Sequence, residues 1–249
     1  MNETKGAVAV TGGASGVGFE TCRVLKERGW EPFIIDQNSR IEEACNSLGL
    51  ERDRGLTCDV ANEAAVEKAI AEISSRASLV GIVNSAGISA DKPAIDTSVE
   101  DFRRIIDVNL IGSFIVARAA ARRWLADGAQ GSIVNVSSVS GLTGSKGRSA
   151  YGASKDGMNV TTMVMATELG RSGIRVNAVA PGPIDTPLAR AVHTDDVRRQ
   201  WTSRVPLGRF GEAVEVGSVI AFLISDEASY VNGQVLAVDG GFINAGLFA

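Results

Sequence analysis

The chain has 249 residues, 45% hydrophobic and 22% charged, an ordinary balance for a globular domain. Its 25 Lys and Arg against 29 Asp and Glu leave a net charge of -4, which offers neither a basic face for nucleic acid nor a polybasic membrane patch. Cys22, Cys45 and Cys58 form no CxxC pair and His193 is the only histidine, so no zinc site is legible and redox chemistry must come from an organic cofactor.

The start of the chain runs directly into the short apolar run at residues 7–10, with nothing that reads as a leader. Together with reduced thiols, that gives the expectation of a cytoplasmic protein. The first predicted strand, Ala7–Thr11, leads into Thr11-Gly12-Gly13-Ala14-Ser15-Gly16-Val17-Gly18 and a helix over Val17–Arg28. Glycines there permit a tight turn and close approach of the backbone to a pyrophosphate, while the helix N-terminus offers free N–H groups to the anion. Gly12, Ser15, Gly16, Val17 and Gly18 are therefore candidates for cofactor binding.

The second strand, Pro32–Ile35, is followed by Asp36, eighteen residues after Gly18. A carboxylate at that point can accept the ribose hydroxyls of an adenosine and repel a 2′-phosphate. Gln37 and Asn38 come next and Ser15 carries no charge, so no cation argues for NADP; the expected cofactor is NAD. Further strands follow at Gly55–Cys58, leading to Asp59 and Val60, and at Leu79–Val83, leading to Asn84-Ser85-Ala86-Gly87. Helical patterns cover Ala64–Ser74 and Val99–Leu125, and then a strand at Ser132–Val136 precedes Ser138.

A helix over Tyr151–Gly170 and a strand at Arg175–Val179 come next. Residues 181–210 hold Pro181, Pro183, Pro187 and Pro206 and show no clean strand; residues 183–210 are expected to form a lid over the strand ends. Helix Ala213–Ile224 and strand Val235–Val238 complete the alternation. Short Val- and Ile-rich runs suit strands buried on both faces, so residues 1–249 are expected to form one doubly wound α/β domain of the Rossmann type.

These motifs resemble those of the short-chain dehydrogenase/reductase family over nearly the whole chain. The TGxxxGxG turn is Thr11 to Gly18, and the NNAG turn is Asn84-Ser85-Ala86-Gly87, which departs at its second position. The helix asparagine matches Asn109, the strand-end serine Ser138, and YxxxK is Tyr151-Gly152-Ala153-Ser154-Lys155. Pro181-Gly182 with Thr186, and Val238-Asp239-Gly240-Gly241, match the two later signatures. The resemblance implies a seven-stranded parallel sheet of order 3-2-1-4-5-6-7 flanked by helices. It also implies a homotetramer joined through helices 99–125 and 151–170 and the C-terminal region. Asn84, Ala86, Gly87, Tyr151, Lys155, Pro181, Gly182, Ile184 and Thr186 would then touch the cofactor, as would Asp59 and Val60.

The implied catalytic set is Asn109, Ser138, Tyr151 and Lys155. A tyrosine titrates near ~10, too high for a base at neutral pH. Lys155 lies one helical turn on, and a cation at ~4 Å in an effective dielectric of ~20 favours the phenolate by roughly 4 kcal/mol. Ser138 can hold the substrate oxygen, and by the resemblance Asn109 holds a water that links Lys155 to solvent. The reaction expected is interconversion of a secondary alcohol (polyol, sugar, or small or cyclic alcohol) with its ketone, by direct hydride transfer. Arg148 and His193 are candidate substrate contacts, and no cluster of Arg in the sequence demands a carboxylate or phosphate. Two other readings stand beside this one. Pro206-Leu207-Gly208-Arg209 through Phe222-Leu223-Ile224-Ser225-Asp226 also resembles reductases of 3-oxoacyl thioesters, and a non-catalytic NAD-binding scaffold is the third reading.

Overall fold

A computed structural model describes residues 4–186, 189 and 194–246. In chain order it contains β1 (Ala7–Thr11), α1 (Gly16–Glu27), β2 (Glu31–Asp36), α2 (Ile41–Ser47), β3 (Gly55–Thr57), α3 (Glu63–Arg76) and β4 (Leu79–Asn84). Then come α4 (Val99–Ile106), α5 (Gly112–Asp127), β5 (Gly131–Val136), α6 (Ser149–Leu169), β6 (Ile174–Pro181) and β7 (Ile184–Asp185). The last elements are α7 (Asp195–Thr202), β8 (Gly211–Glu212), α8 (Ala213–Ile224) and β9 (Val235–Val238).

Seven strands form one parallel sheet in the order β3-β2-β1-β4-β5-β6-β9, as the family resemblance implied. Each central strand splits its side chains between two apolar layers, because successive residues point to opposite faces. Ala7 and Ala9 of β1 join one layer with Val66 and Ile70 of α3, Val116 and Trp124 of α5, and Met165 of α6. Val8 and Val10 join the other, with Leu25 of α1, Cys45 of α2 and Ile220 of α8. The sheet is thus covered on both sides, and only its strand ends are free to carry chemistry.

Four features depart from the sequence reading. The single helix expected at 99–125 is broken between α4 and α5 by a π turn over Asp107–Ile111, in which each hydrogen bond spans one residue more than in an α-helix. Nothing in Asp107-Val108-Asn109-Leu110-Ile111 breaks a helix by itself, so tertiary contacts to Asn109 must hold the turn open. Second, β6 runs on to Pro181, and Ile184–Asp185 pairs in parallel with Gly211–Glu212, so the proline-rich stretch does contain short strands. Third, α2 and α7 are helices where no helical pattern was read; both are short, and α7 starts on Thr194, whose hydroxyl accepts from the Val197 N–H at 3.4 Å. Asp36 ends β2 rather than following it.

Candidate active site

The carboxyl ends of β1, β2, β3, β4, β5 and β6 open onto one cleft of about 440 Å³. From the early strands it is lined by Gly12, Ser15, Gly16, Val17, Asp36, Asp59, Val60, Ala86 and Gly87. From the later ones come Ser138, Arg148, Tyr151, Lys155, Pro181, Gly182, Ile184 and Thr186. The fold therefore gathers most of the residues singled out in the sequence, from segments spread between Gly12 and Thr186. Gly18, Asn84 and Asn109 stand behind the lining. His193 lies outside the described residues, as do Leu188, Arg190 and Val192.

At the glycine turn, backbone packs on backbone. A Cβ on Gly18 would stand 2.3 Å from the carbonyl oxygen of Gly12, and one on Gly12 would stand 2.8 Å from the backbone of Ala86. The Thr11 hydroxyl clamps the same pair of turns, accepting from the N–H groups of Ser85 and Ala86, both at 3.1 Å. Ser15 occupies the N-cap of α1 in an extended conformation but makes no side-chain cap bond, and the first turn holds no acidic residue. The leading N–H groups of α1 consequently face the cleft with a positive dipole end, a cradle suited to a pyrophosphate. The Asp36 carboxylate is held at the rim by the N–H groups of Ala14 at 3.1 Å and Asn38 at 3.0 Å. These residues fit a dinucleotide.

Asn84 does not line the cleft. Its amide nitrogen donates inward to the Ser113 carbonyl at 3.1 Å and the Asn135 Oδ1 at 2.9 Å, so it ties β4 to α5 and β5. Asn109 is fully buried. Its Oδ1 accepts from the Ile88 N–H at 2.8 Å, while its Nδ2 donates to the Ile88 carbonyl at 2.9 Å and to Ser154 Oγ at 3.0 Å. Ser154 Oγ in turn donates to the Tyr151 carbonyl at 2.7 Å. Asn109 thus fastens the Gly87–Ile88 backbone to the first turn of α6, and these contacts account for the π turn.

Ser138 follows β5, and its hydroxyl oxygen accepts from the Ser140 N–H at 3.1 Å. With that lone pair used, the hydroxyl proton is free to point toward the Tyr151 oxygen, with which Ser138 hydrogen-bonds. Lys155 is 4% exposed, and its ammonium donates to the Val136 carbonyl at 2.8 Å. Ser137, the neighbour the sequence reading passed over, donates to the Lys155 carbonyl at 3.2 Å and so docks α6 on the end of β5.

The electrostatics correct the simple pairing argument. Burial pushes the Tyr151 phenol above its usual range, and the influences pulling it back are the Ser138 hydrogen bond and the Arg148 charge. The Lys155 ammonium stands 5.6 Å from the centre of the Tyr151 ring, and burial lowers its own pKa to about 8. All three cysteines are buried and unpaired, and burial raises each thiol, which makes them poor nucleophiles. Among the described residues no cluster of His, Cys, Asp or Glu is placed to hold a metal.

A second cavity of about 470 Å³ adjoins the first and shares Asp91, Arg148 and Trp201 with it. Lys146, Arg148 and Arg204 line it together, a basic grouping invisible in the sequence because its members come from two distant loops.

The topology and the cleft at the strand ends define a doubly wound nucleotide-binding oxidoreductase with an alcohol–ketone site. A family model described as enoyl-(acyl carrier protein) reductase matches residues 12–243. The chain belongs to the short-chain dehydrogenase/reductase family. It is 41% identical over 243 residues to cis-4-hydroxycyclohexanecarboxylate dehydrogenase of Sinomonas cyclohexanicum, covering 94% of each chain. It is 38% identical to the 3-oxoacyl-[acyl-carrier-protein] reductase of Bos taurus, over 94% of this chain and 96% of that one. Among solved structures, levodione reductase superposes with a TM-score of 0.91 at 33% identity, over 98% of this chain and 99% of the other. The chain is an oxidoreductase that acts on alcohol or ketone substrates with a nicotinamide cofactor. No helix among the described residues is long and apolar enough to cross a membrane.

Proposed function

We propose that the chain is an NAD(H)-dependent dehydrogenase of a small or cyclic secondary alcohol, with Tyr151 as general acid/base. The observation that carries this reading is the single cleft in which the open N-terminus of α1 and the fixed Asp36 carboxylate share a wall with Ser138, Tyr151 and Lys155. Gly12, Ser15, Gly16, Val17, Ala86 and Gly87 would hold the diphosphate and ribose side of the cofactor, with Asp59 and Val60 beside the adenine. Pro181, Gly182, Ile184 and Thr186 would hold its nicotinamide end. Bound oxidised nicotinamide supplies the acceptor for the hydride and a positive charge near the phenol.

In alcohol oxidation Tyr151 receives the hydroxyl proton of the substrate, while the Ser138 hydroxyl, oriented by the Ser140 N–H, donates to the same oxygen. Lys155, its ammonium 5.6 Å from the centre of the Tyr151 ring, stabilises the phenolate and is fixed by Val136. Asn109 is a positioning residue that holds the floor of the cleft at Ile88. In ketone reduction the same groups return the proton. Of the substrate lid proposed over residues 183–210, Trp201 stands on the cleft wall, while residues 187, 188 and 190–193 lie outside the described residues.

The relative that acts on a hydroxycyclohexanecarboxylate supports a cyclic alcohol. The 38% identical relative named for a 3-oxoacyl-carrier substrate favours thioester reduction as the second reading. Asp36 at the ribose position and the net charge of -4 weigh against that one, since an acidic carrier protein needs a basic surface. Exposed apolar side chains on α4, α5 and α6, among them Phe102, Phe114, Val160 and Met163, support a homotetramer through those helices, with Leu236 of β9 supporting the C-terminal contact. Three reduced thiols fit the cytoplasm.

The reading is tested by following reduced nicotinamide absorbance with NAD or NADP and a panel of secondary alcohols, cyclic alcohols and polyols. Turnover with NAD in preference to NADP is expected. No turnover with any alcohol, despite tight NADH binding, overturns it in favour of a binding scaffold.

A further inference from the structure

We infer that the substrate carries a carboxylate remote from its carbinol carbon, received by Arg148 and Arg204 with Lys146 beside them, an inference that rests on the alcohol–ketone reading of the adjoining cleft. The cavity of about 470 Å³ lined by these residues abuts the catalytic cleft, and Arg148, Trp201 and Asp91 belong to the walls of both. The Arg148 guanidinium, 5.6 Å from the centre of the Tyr151 ring, stands at the junction, beside a ligand held at Ser138 and Tyr151.

The charges in that cavity are unbalanced. Lys146, Arg148 and Arg204 face one carboxylate, Asp91. Among the described residues neither Lys146 nor Arg204 has an acidic partner; the Arg204 guanidinium instead lies 5.2 Å from the centre of the Phe242 ring. Arg148 donates to Ser89 Oγ, and its other terminal nitrogen lies 3.7 Å from Asp91, too long for a hydrogen bond. A guanidinium has five N–H groups, so donors remain for a ligand. Only 18% of the Arg148 side chain is exposed, whereas that of Asp91 is 59% exposed and well solvated. A largely desolvated guanidinium with spare donors is where an oxyanion gains most.

The remaining walls are apolar. Trp201 and Phe242 pack with ring centres 5.0 Å apart and planes tilted by 49°, and Pro93, Val197 and Ile243 complete the surface. That combination suits a hydrocarbon body ending in one negative charge. A phosphate ester, bearing about -1.5 to -2 at neutral pH, would be drawn by the same three cations, so carboxylates and phosphates are compared directly.

The test separates this inference from the dehydrogenase reading by measuring binding instead of turnover. Calorimetry on the NADH-saturated protein compares a panel of aliphatic and cyclic monocarboxylates with their carboxamides and with alkyl phosphates. The best acid is expected to bind at least about tenfold more tightly than its amide, the value of a charge-assisted hydrogen bond. Arg204→Gln and Lys146→Gln, both on exposed side chains, should each erode that preference while leaving turnover of neutral alcohols unchanged. Arg148→Gln should nearly abolish it. Equal binding of acid and amide, no binding of either, or a preference that survives the Arg148→Gln/Arg204→Gln double variant overturns the inference; tighter binding of the phosphates reassigns the oxyanion. An intact acid preference without turnover of any alcohol leaves the anion site standing and removes the dehydrogenase reading.

Discussion

The Lys155 ammonium donates to the carbonyl oxygen of Val136 at 2.8 Å, so the cation of the YxxxK pair is anchored to the end of β5. A buried lysine bound in this way is a fixed charge whose position does not depend on the phenol. The phenol, in contrast, hangs between burial, which raises its pKa, and the hydrogen bond from Ser138 and the charge of Arg148, which lower it. Tyr151 is the adjustable member of the pair.

Removing the phenol oxygen should therefore strike turnover alone. Tyr151→Phe is expected to reduce kcat by at least ~10²-fold, the usual contribution of a general acid/base, with NADH affinity within about twofold of the parent. Fluorescence titration with NADH and initial-rate kinetics check both halves; parental activity in the variant would remove Tyr151 from the mechanism.

The chain has two tyrosines, and Tyr230 is fully exposed, which makes the active-site phenol directly observable. In Tyr230→Phe the ultraviolet titration reports Tyr151 alone. Without cofactor its ionisation should lie above the ordinary value of 10.0, because burial disfavours the phenolate. Saturation with oxidised NAD, which brings a positive charge, should move it down. A midpoint at or below the ordinary value in the cofactor-free protein contradicts the assigned electrostatics.

Lys155 also leaves a mark on stability. Its pKa falls from 10.5 to about 8 on folding, so between those values the unfolded chain binds more protons than the folded one. Stability from this group must then rise with pH through that window, by up to ~1.4 kcal/mol per unit. Urea unfolding of the parent and of Lys155→Met at pH 8 and pH 10 should show the parent gaining on the variant as pH rises. A difference that is flat with pH would mean the lysine is not desolvated in solution.

Asp36 is expected to set the choice of dinucleotide. The Ala14 and Asn38 N–H groups bind different oxygens of Asp36, so Asp36→Asn keeps an acceptor for one of them and removes the charge that repels a 2′-phosphate. The ratio of kcat/KM for NAD to that for NADP should fall by about 10- to 100-fold. An unchanged ratio would place cofactor selection elsewhere in the cleft.

The turn can be tested by volume. Gly18→Ala would press a methyl against the Gly12 carbonyl oxygen at 2.3 Å, where backbone meets backbone and no flexible side chain can yield. A loss of stability of about 1–3 kcal/mol is expected, together with weakened NADH binding, since the displaced turn is the anion cradle. Unfolding curves and NADH titration measure the two effects separately.

The strands were legible because each is a Val- or Ile-rich run buried on both faces, a pattern that survives without knowledge of its neighbours. The motif residues were legible for a related reason: Tyr151 and Lys155 lie one helical turn apart, so their meeting is local. What escaped the sequence was produced by contact between distant segments. The break at Asn109 exists because Ile88 and Ser154 capture its side chain, and neither is near it in the chain. The basic cavity pairs Arg148 with Arg204, 56 residues apart by their numbers, so no local pattern could announce it. The interior role of Asn84 escaped likewise, because its partners are Ser113 and Asn135.

The π turn at Asp107–Ile111 has a consequence for how this helix tolerates change in length. One residue fewer between α4 and α5 would restore an unbroken α-helical ladder, and each residue of an α-helix turns the chain by about 100°. A π turn absorbs one extra residue without carrying the flanking helices out of phase, so the deletion would gain regular hydrogen bonds and leave the faces of α4 and α5 aligned. What it would lose is the bulge that brings Asn109 to Ile88 and Ser154. A chain shortened there should be well folded yet hold the cleft floor at Ile88 less firmly, so that a more regular helix would surface as a defect in catalysis.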